Sequence, residues 1–258
     1  MSFFLKKKKK RKNYFIVEGL KEIKMALKAN YIPEYIFLYK KIYKYEFISN
    51  FFRKKFLISY QIYKKISFRK KTGGIIASFF KKKFYIKKIK INLTTFLLVL
   101  EGIEKPGNLG AILRTTEAAG IDAVLLCNNT IDIFNPNVIR SSLGAVFTNN
   151  ITIDNSENLI LWLKKKQIKI ISTSVKKNIK NIYNLKLEKK SLAIVIGAES
   201  KGLSENWFKS SNIIIQIPMK GKIDSLNVST STAIILFEII RQKNNYYSDS
   251  YERQNRFS

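Results

Sequence analysis

Five short apolar runs alternate with helical stretches through the second half of the chain, and this alternation constrains the fold more than any other sequence feature. Each run has the length of a buried β-strand. The runs cover residues 96–100, 123–127, 168–172, 192–196 and 213–217. Because buried strands separated by helices are typical of parallel sheets covered by helices, the sequence predicts an α/β fold with a parallel sheet.

In the first third of the chain the helix-like and strand-like segments are short, which predicts a separate small α/β unit over residues 13–83. Apolar residues recur at helical spacing within residues 18–29, which predicts a helix. Residues 35–38 read as a strand, and residues 75–80 read as a second strand after a glycine pair that marks a turn.

Charge and polarity predict the remaining boundaries. Residues 1–12 form a lysine-rich arm, and residues 84–95 resemble a solvated connector between the two units. The large unit then spans residues 96–243, and residues 244–258 form a polar tail that we expect to be loose. A last helix is expected over residues 229–242. One of its faces is expected to carry Ala233, Leu236, Phe237 and Ile240.

Composition narrows the possible functions. The chain has 48 basic and 18 acidic residues, for a net charge of +30, which favours a polyanion such as RNA as a partner. A genome rich in A/T codons is an alternative source of part of this excess. Histidine is absent, which excludes Ser-His-Asp chemistry and the commonest metal ligand. Cys127 is the single cysteine, which favours a cytoplasmic setting, and no signal peptide or membrane span is expected.

Loops that follow the strands of such a sheet are where ligands gather. In the first loop, Asn108 suits the N-cap of the next helix. Gly110, Arg114 and Ala118 follow at i, i+4 and i+8 on one face of the helix. Because the two residues that flank Arg114 have small side chains, a large ligand could reach its guanidinium. An ordinary ion pair of Arg114 is the alternative interpretation.

Two further loops carry polar groups in a regular pattern. Residues 197–204 place Glu199 between two glycines, which allow the backbone to approach a ligand while the carboxylate opposes a positive charge. In residues 217–229, Ser225, Asn227 and Ser229 alternate with apolar residues, so that an extended segment would present them on one side. Helix capping is the alternative for Ser229. No dinucleotide fingerprint or phosphate loop occurs.

Taken together, the three loops resemble the ordered motifs of the SpoU-type RNA methyltransferases, the TrmH-like branch of the SPOUT superfamily. The matching segments are N-x-G-A-I-x-R-T at residues 108–115, G-x-E-x-x-G-L-S at 197–204 and I-P-M-x-G-x-x-x-S-L-N-V-S at 217–229. The resemblance implies a parallel-sheet methyltransferase domain with a trefoil knot. It also implies that the front unit is a small α/β substrate-binding domain similar to a ribosomal protein.

The resemblance also implies the ligand and the site. S-adenosylmethionine would be the cofactor, no metal would be needed, and the chain would form a homodimer. The implied cofactor-binding residues are Gly197, Ile217, Met219, Leu226 and Asn227. The implied catalytic residue is Arg114, with Asn108, Glu199, Ser225 and Asn227 shaping the site. Because arginine stays protonated in proteins, stabilisation of a developing alkoxide is easier to defend than a role as general base.

The implied reaction is methylation of a ribose 2′-hydroxyl in structured RNA, with large-subunit rRNA preferred because the front unit resembles those of enzymes that act on rRNA. One alternative is a tRNA 2′-O-methyltransferase. Another is a catalytically silent RNA-binding factor that acts in ribosome assembly.

Overall fold

The structure is a computed structural model, which describes residues 13–43, 50–68, 73–176 and 179–254, with side chains described up to residue 244. The expected basic arm of residues 1–12 lies outside the described residues. Two sheets organise the described chain: a four-stranded sheet in the front unit and a seven-stranded sheet in the large unit.

The front sheet mixes antiparallel and parallel pairs. Its strands, in the order β1-β4-β2-β3, are β1 (Tyr14–Glu18), β4 (Ile75–Phe80), β2 (Pro33–Leu38) and β3 (Lys54–Leu57). Strand β4 runs antiparallel to β1 and β2, while β3 runs parallel to β2. Two helices belong to this unit, α1 (Leu20–Lys28) and α2 (Tyr60–Ile66). The predicted helix and both predicted strands are confirmed, whereas β1, β3 and α2 were not predicted.

Every strand pair in the second sheet is parallel, which confirms the predicted sheet type. The strands are β5 (Phe96–Glu101), β6 (Ala123–Cys127), β7 (Ile151–Asp154), β8 (Lys169–Thr173), β9 (Lys180–Asn181), β10 (Leu192–Ile196) and β11 (Ile213–Gln216). Their order is β7-β6-β5-β10-β8-β11-β9, so the chain returns late to place β10 between β5 and β8. The short edge strands β7 and β9 were not predicted. The trefoil knot stays a prediction from the resemblance.

Helices cover both faces of this sheet. Their bounds are α3 (Pro106–Ala118), α4 (Pro136–Ser141), α5 (Ser156–Lys165), α6 (Glu205–Ser210) and α7 (Val228–Gln254). Successive residues of the central strands point to opposite faces, so Leu98 and Leu97 enter two separate apolar clusters. None of the helices in the described ranges combines the length and the apolar character that a bilayer crossing requires.

Helix α7 differs from its prediction in length and in orientation. The helix continues to Gln254. The expectation of a loose tail from residue 244 onward is therefore wrong for residues 244–254. No proline or glycine interrupts residues 228–254, and nothing local therefore stops the helix. Its most buried apolar side chains include Leu236 and Ile239, whereas Phe237, which was expected on the core face, is half exposed.

The connector is anchored rather than solvated. Its isoleucines Ile86, Ile89 and Ile91 pack against an apolar cluster of the large sheet, while the lysines between them face outward. The expectation of a solvated linker over residues 84–95 is therefore wrong. The sequence did not indicate this packing, because a short 3₁₀ turn, and not a regular helix or strand, sets the directions of the isoleucines.

The front unit and the large unit share one apolar core. The ring of Phe15 on β1 stacks on Phe134, with the ring centres 4.2 Å apart and the planes tilted by 13°. The ring of Phe147, also in the large unit, packs against Phe15 with the ring centres 5.7 Å apart. Burial of several aromatic rings at one junction stabilises their association, because each ring removes a large apolar area from water. The front unit is therefore held against the sheet by contacts as well as by the connector.

Candidate active site

The three loops of the sequence motifs meet at the carboxyl edge of the large sheet. Strands β5 and β10 are direct neighbours and parallel, so the loops that follow them leave the same edge side by side. The segment that follows β11 reaches across β8 to the same place, where Asn227 contacts Asn108. This edge is where α/β proteins bind their ligands.

Asn108 lies inside helix α3 and not at its N-cap. The helix begins at Pro106, with Lys105 as the N-cap residue. Proline favours the first helical position because its φ is already helical and the missing N–H would have no partner there. The predicted capping role of Asn108 is therefore wrong, and its amide is available for contacts outside the helix.

A chain of hydrogen bonds joins the three motifs through Asn108. Its Nδ2 donates to Glu199 Oε1 at 2.5 Å, and its Oδ1 accepts from Asn227 Nδ2 at 3.3 Å. The backbone N–H of Glu104 donates to the other carboxylate oxygen of Glu199 at 3.2 Å. Residues separated by about a hundred positions in sequence thus form one polar cluster.

The hydrogen bonds at Glu199 favour its ionised form. Partial burial alone would raise the pKa of Glu199, but the bonds from Asn108 and from backbone N–H groups, together with the charge of Lys105, lower it below its usual value. The site therefore carries a negative charge at neutral pH, as the sequence interpretation requires for a cationic ligand.

The loop after β10 is a tight turn that requires glycine at its first position. Ala198 and Gly202 form a bridge through two backbone hydrogen bonds, at 3.0 and 3.2 Å. A Cβ atom on Gly197 would lie 2.5 Å from the Gly202 carbonyl oxygen and from the Leu203 nitrogen. Because these are backbone atoms, the turn could not accommodate even a methyl group without opening. The turn presents Glu199 at its tip.

Asn227 has two roles that the sequence did not separate. Its Oδ1 accepts from the backbone N–H of Ser229 at 2.9 Å, so Asn227 and not Ser229 is the N-cap of α7. Ser229 lies in the helix, and its hydroxyl also donates to Asn227 Oδ1, at 2.6 Å. The expectation of an extended polar face through residue 229 is therefore wrong, because the asparagine cap starts the helix earlier.

The segment before Asn227 combines apolar side chains with backbone groups that are unpaired in the described part of the chain. Ile217, Met219 and Leu226 are half-buried, whereas Ser225 is exposed. Within the described residues no backbone hydrogen bond holds residues 219–225 to another part of the chain. Their N–H and C=O groups thus remain available to a ligand or to water. An apolar lining beside free backbone groups suits a purine ring, which needs both.

Arg114 is exposed on α3, six residues beyond Asn108. No hydrogen bond or ion pair of its guanidinium is found within the described part of the chain, so the alternative of a local ion pair has no support there. The structure joins Asn108, Glu199 and Asn227 directly, but it shows no contact from Arg114 or Ser225 to them.

Gly110 serves helix packing and not ligand access. A Cβ atom there would fall 2.6 Å from the carbonyl oxygen of Val138 and onto the hydroxyl of Ser141, both on α4. The expectation that Gly110 leaves a bare face for a large ligand beside Arg114 is therefore wrong. The missing side chain lets α3 and α4 approach each other closely.

Sequence reasoning missed Glu101, a buried carboxylate that anchors the loop after β10. It accepts hydrogen bonds from the backbone N–H of Ser204 at 2.7 Å and from the Ser204 hydroxyl at 2.9 Å. Its Oε1 also accepts from Asn128 and Ser156. A carboxyl residue that ends a wholly apolar strand was the available signal, since a buried acid requires such partners.

Comparison with known proteins supports the grouping of these loops. Residues 95–237 match the family model described as the SpoU rRNA Methylase family. Residues 3–77 match the MRM3-like substrate binding domain.

Curated relatives match over about six-tenths of the chain. A protein from Borreliella burgdorferi named as an uncharacterized tRNA/rRNA methyltransferase is 39% identical over 62% of this chain and 69% of its own length. The 23S rRNA (guanosine-2′-O-)-methyltransferase RlmB of Pectobacterium atrosepticum is 36% identical over 57% of this chain and 60% of its own length. The chain thus aligns with roughly six-tenths of the length of such relatives.

Solved structures match over nearly the whole chain. An RNA 2′-O ribose methyltransferase is 31% identical with a TM-score of 0.77, and the match covers 90% of this chain and 89% of that one. An rRNA methyltransferase from Sinorhizobium meliloti shares the fold, with a TM-score of 0.81 at 24% identity over 89% of this chain and 87% of that one. The ordered motifs, their convergence in space and the match over more than half of the chain agree, and the chain belongs to the SpoU rRNA methylase family.

Proposed function

We propose that this protein transfers a methyl group from S-adenosylmethionine to the 2′-hydroxyl of a specific ribose in large-subunit rRNA. The observation that carries the proposal is the hydrogen-bonded cluster of Asn108, Glu199 and Asn227, which joins the three motifs. Relatives named as 23S rRNA 2′-O-methyltransferases support the substrate class.

The residues present fit the cofactor. When bound, S-adenosylmethionine supplies an electrophilic methyl group on a cationic sulfonium. Glu199, ionised at neutral pH, contributes the opposing charge. Gly197 keeps the turn narrow, and the free backbone groups of residues 219–225 can pair with the edge of an adenine ring. Ile217, Met219 and Leu226 offer apolar contact to its faces.

Arg114 is proposed as the residue that acts on the ribose. Its guanidinium is exposed and has no protein partner within the described residues, so its donors are available to substrate oxygens. Because arginine keeps its proton, it would stabilise the 2′-oxygen while the hydroxyl proton passes to solvent water, and it would bind a neighbouring phosphate. Asn108 and Asn227 would orient the groups around it, and Ser225 would contribute a hydroxyl at the rim.

The proposal includes a homodimer in the cytoplasm. Ala233, Phe237 and Ile240 form an apolar stripe along α7 that is only partly covered, with Phe237 half exposed, and a second copy would bury it. Cys127 is a buried free thiol, which suits a reducing compartment. Sedimentation of the purified protein tests the dimer, and Phe237→Glu should shift it to monomer.

The decisive experiment incubates the purified full chain with radiolabelled S-adenosylmethionine and protein-free rRNA. We expect label in large-subunit rRNA at a single ribose, seen as one position resistant to alkaline cleavage. Tight RNA binding without any transfer would overturn the proposal in favour of a silent assembly factor. Label in tRNA but not in rRNA would overturn the choice of substrate.

A further inference from the structure

A groove of about 510 Å³ lies at the junction of the front unit, the connector and the edge of the large sheet. Its walls come from the C-terminal end of α1, from the connector and from the residues that lead into β7. Because the start of β7 faces the amino edge of a parallel sheet, the groove is separate from the motif site at the carboxyl edge.

The groove is lined by positive charge. Lys28, Lys82, Lys83 and Lys88 all contribute to its walls, and no acidic residue is among its lining residues in the described chain. Lys81 is next to them in sequence but is paired with Asp132 at 2.7 Å, so it adds no free charge.

Two of these exposed lysines lie against aromatic rings at the groove wall. Lys82 Nζ sits 4.2 Å from the centre of the Tyr31 ring and donates to the Ala29 carbonyl oxygen at 2.5 Å. Lys88 Nζ lies 5.5 Å from the Tyr85 ring. Burial, and then the charge of Lys88, lowers the pKa of Lys82.

A concave site with four lysines and no acidic residue among its lining residues attracts a ligand with several negative charges. The phosphodiester backbone of RNA meets this description, since neutralising its phosphates releases counterions at each contact. Tyr85, which is half exposed at the groove wall, can also stack on an unpaired base.

We propose that this groove binds the backbone of the substrate RNA at a distance from the reacting ribose, and that it sets affinity without contributing to the chemical step. The inference rests on the proposed function for the identity of the RNA, but not for the binding itself.

The test compares two triple variants of the full chain with equal loss of charge. The groove variant is Lys28→Gln, Lys83→Gln and Lys88→Gln, which leaves Lys82 in place because it caps α1. The control variant is Lys164→Gln, Lys165→Gln and Lys166→Gln, three exposed lysines at the end of α5. Thermal unfolding of both variants confirms that they fold.

The readout is the salt dependence of binding to a structured RNA hairpin of mixed sequence. Loss of three phosphate contacts should reduce the slope of log K against log salt by roughly 2 to 3 in the groove variant, because each contact contributes about 0.7 to 0.9. The control variant should keep the wild-type slope. Equal slopes in the two variants would overturn the proposal.

Methyl transfer separates this inference from the proposed function. With saturating RNA at low salt, the groove variant should keep the wild-type kcat while its KM for RNA rises. A fall in kcat with unchanged KM would overturn the assignment of the groove to affinity. If the wild-type chain transfers no methyl group at all, the proposed function fails, and the slopes still decide whether the groove binds RNA.

Discussion

Asn108 Nδ2 and Glu199 Oε1 are joined by a 2.5 Å hydrogen bond between the first turn of α3 and the tip of the turn after β10. The bond holds a carboxylate in its ionised form where a cationic ligand is expected. A group whose pKa is lowered by folding contributes its charge above that pKa and loses it as the pH falls through it.

The first prediction concerns this pair and pH. In wild type, affinity for S-adenosylmethionine should fall only below the usual glutamate pKa of about 4.3. In Asn108→Ala the pKa of Glu199 loses its strongest lowering contact, so the fall should begin at higher pH. Calorimetric titrations across the acid range measure both midpoints. Glu199→Gln serves as control and should show weak binding without this transition; coincident midpoints in wild type and Asn108→Ala would contradict the prediction.

The second prediction concerns Arg114. Arg114→Ala should reduce methyl transfer by about 10²–10³, the usual cost of losing one donor to a developing oxyanion. Binding of S-adenosylmethionine and thermal stability should stay near wild type, because the side chain is exposed. Arg114→Lys keeps the charge but not the planar fork and should recover only part of the rate. Loss of cofactor binding in Arg114→Ala would show that the residue has another role.

The third prediction separates the two roles of Asn227. Asn227→Ala should destabilise the protein by about 1 kcal/mol through loss of the α7 cap and should also weaken cofactor binding. Asn227→Asp keeps the capping oxygen but cannot donate to Asn108, so stability should be retained while binding falls. Denaturant unfolding and calorimetry give the two quantities. Equal stability loss in both variants would contradict the assigned cap.

The fourth prediction concerns the turn after β10. Gly197→Ala should abolish cofactor binding, because its methyl group would overlap backbone atoms of Gly202 and Leu203. Gly107→Ala is the matched control, since a Cβ atom there meets nothing within 4 Å. Alanine inside α3 should add up to about 1 kcal/mol of stability. Calorimetry and thermal unfolding of both variants provide the comparison, and wild-type binding by Gly197→Ala would show that the turn is not part of the site.

The fifth prediction concerns Glu101. Glu101→Gln should destabilise the protein by about 1–3 kcal/mol, because its amide would point a donor at groups that already donate, including the Ser204 N–H. The loop after β10 should also loosen, which would raise the KM for S-adenosylmethionine more than it lowers kcat. Denaturant unfolding and steady-state kinetics test this; a lower kcat at constant KM would place Glu101 closer to the chemistry.

The sequence predicted the central architecture well because buried strands leave a strong signal. The runs at residues 123–127 and 192–196 coincide with β6 and β10, where every side chain is buried. Strand β9 has only two residues, and β3 is exposed at the edge of its sheet, so neither shows an apolar pattern. Edge strands are defined by their partners and not by their own sequence.

The site was predicted as a set of residues but not as a set of contacts. Glu199 and Asn227 were named, yet nothing local shows that Asn108 bridges them, because the bonds join segments brought together only by the order of the strands. The role of Gly110 was misread for the same reason, since its close neighbour Ser141 lies on another helix. Glu101 was overlooked because its four donors come from three separate segments.

The stacking of Phe15 on Phe134 has a mechanical consequence. Because the front unit and the large unit share an aromatic core, they cannot rotate freely about the connector. An RNA bound to the front unit would therefore lie at a fixed distance from the methyl donor. The distance between the bound part of the RNA and the methyl donor, and not base identity alone, would then determine which ribose is methylated. The same shared core should make the two bodies melt in one cooperative step.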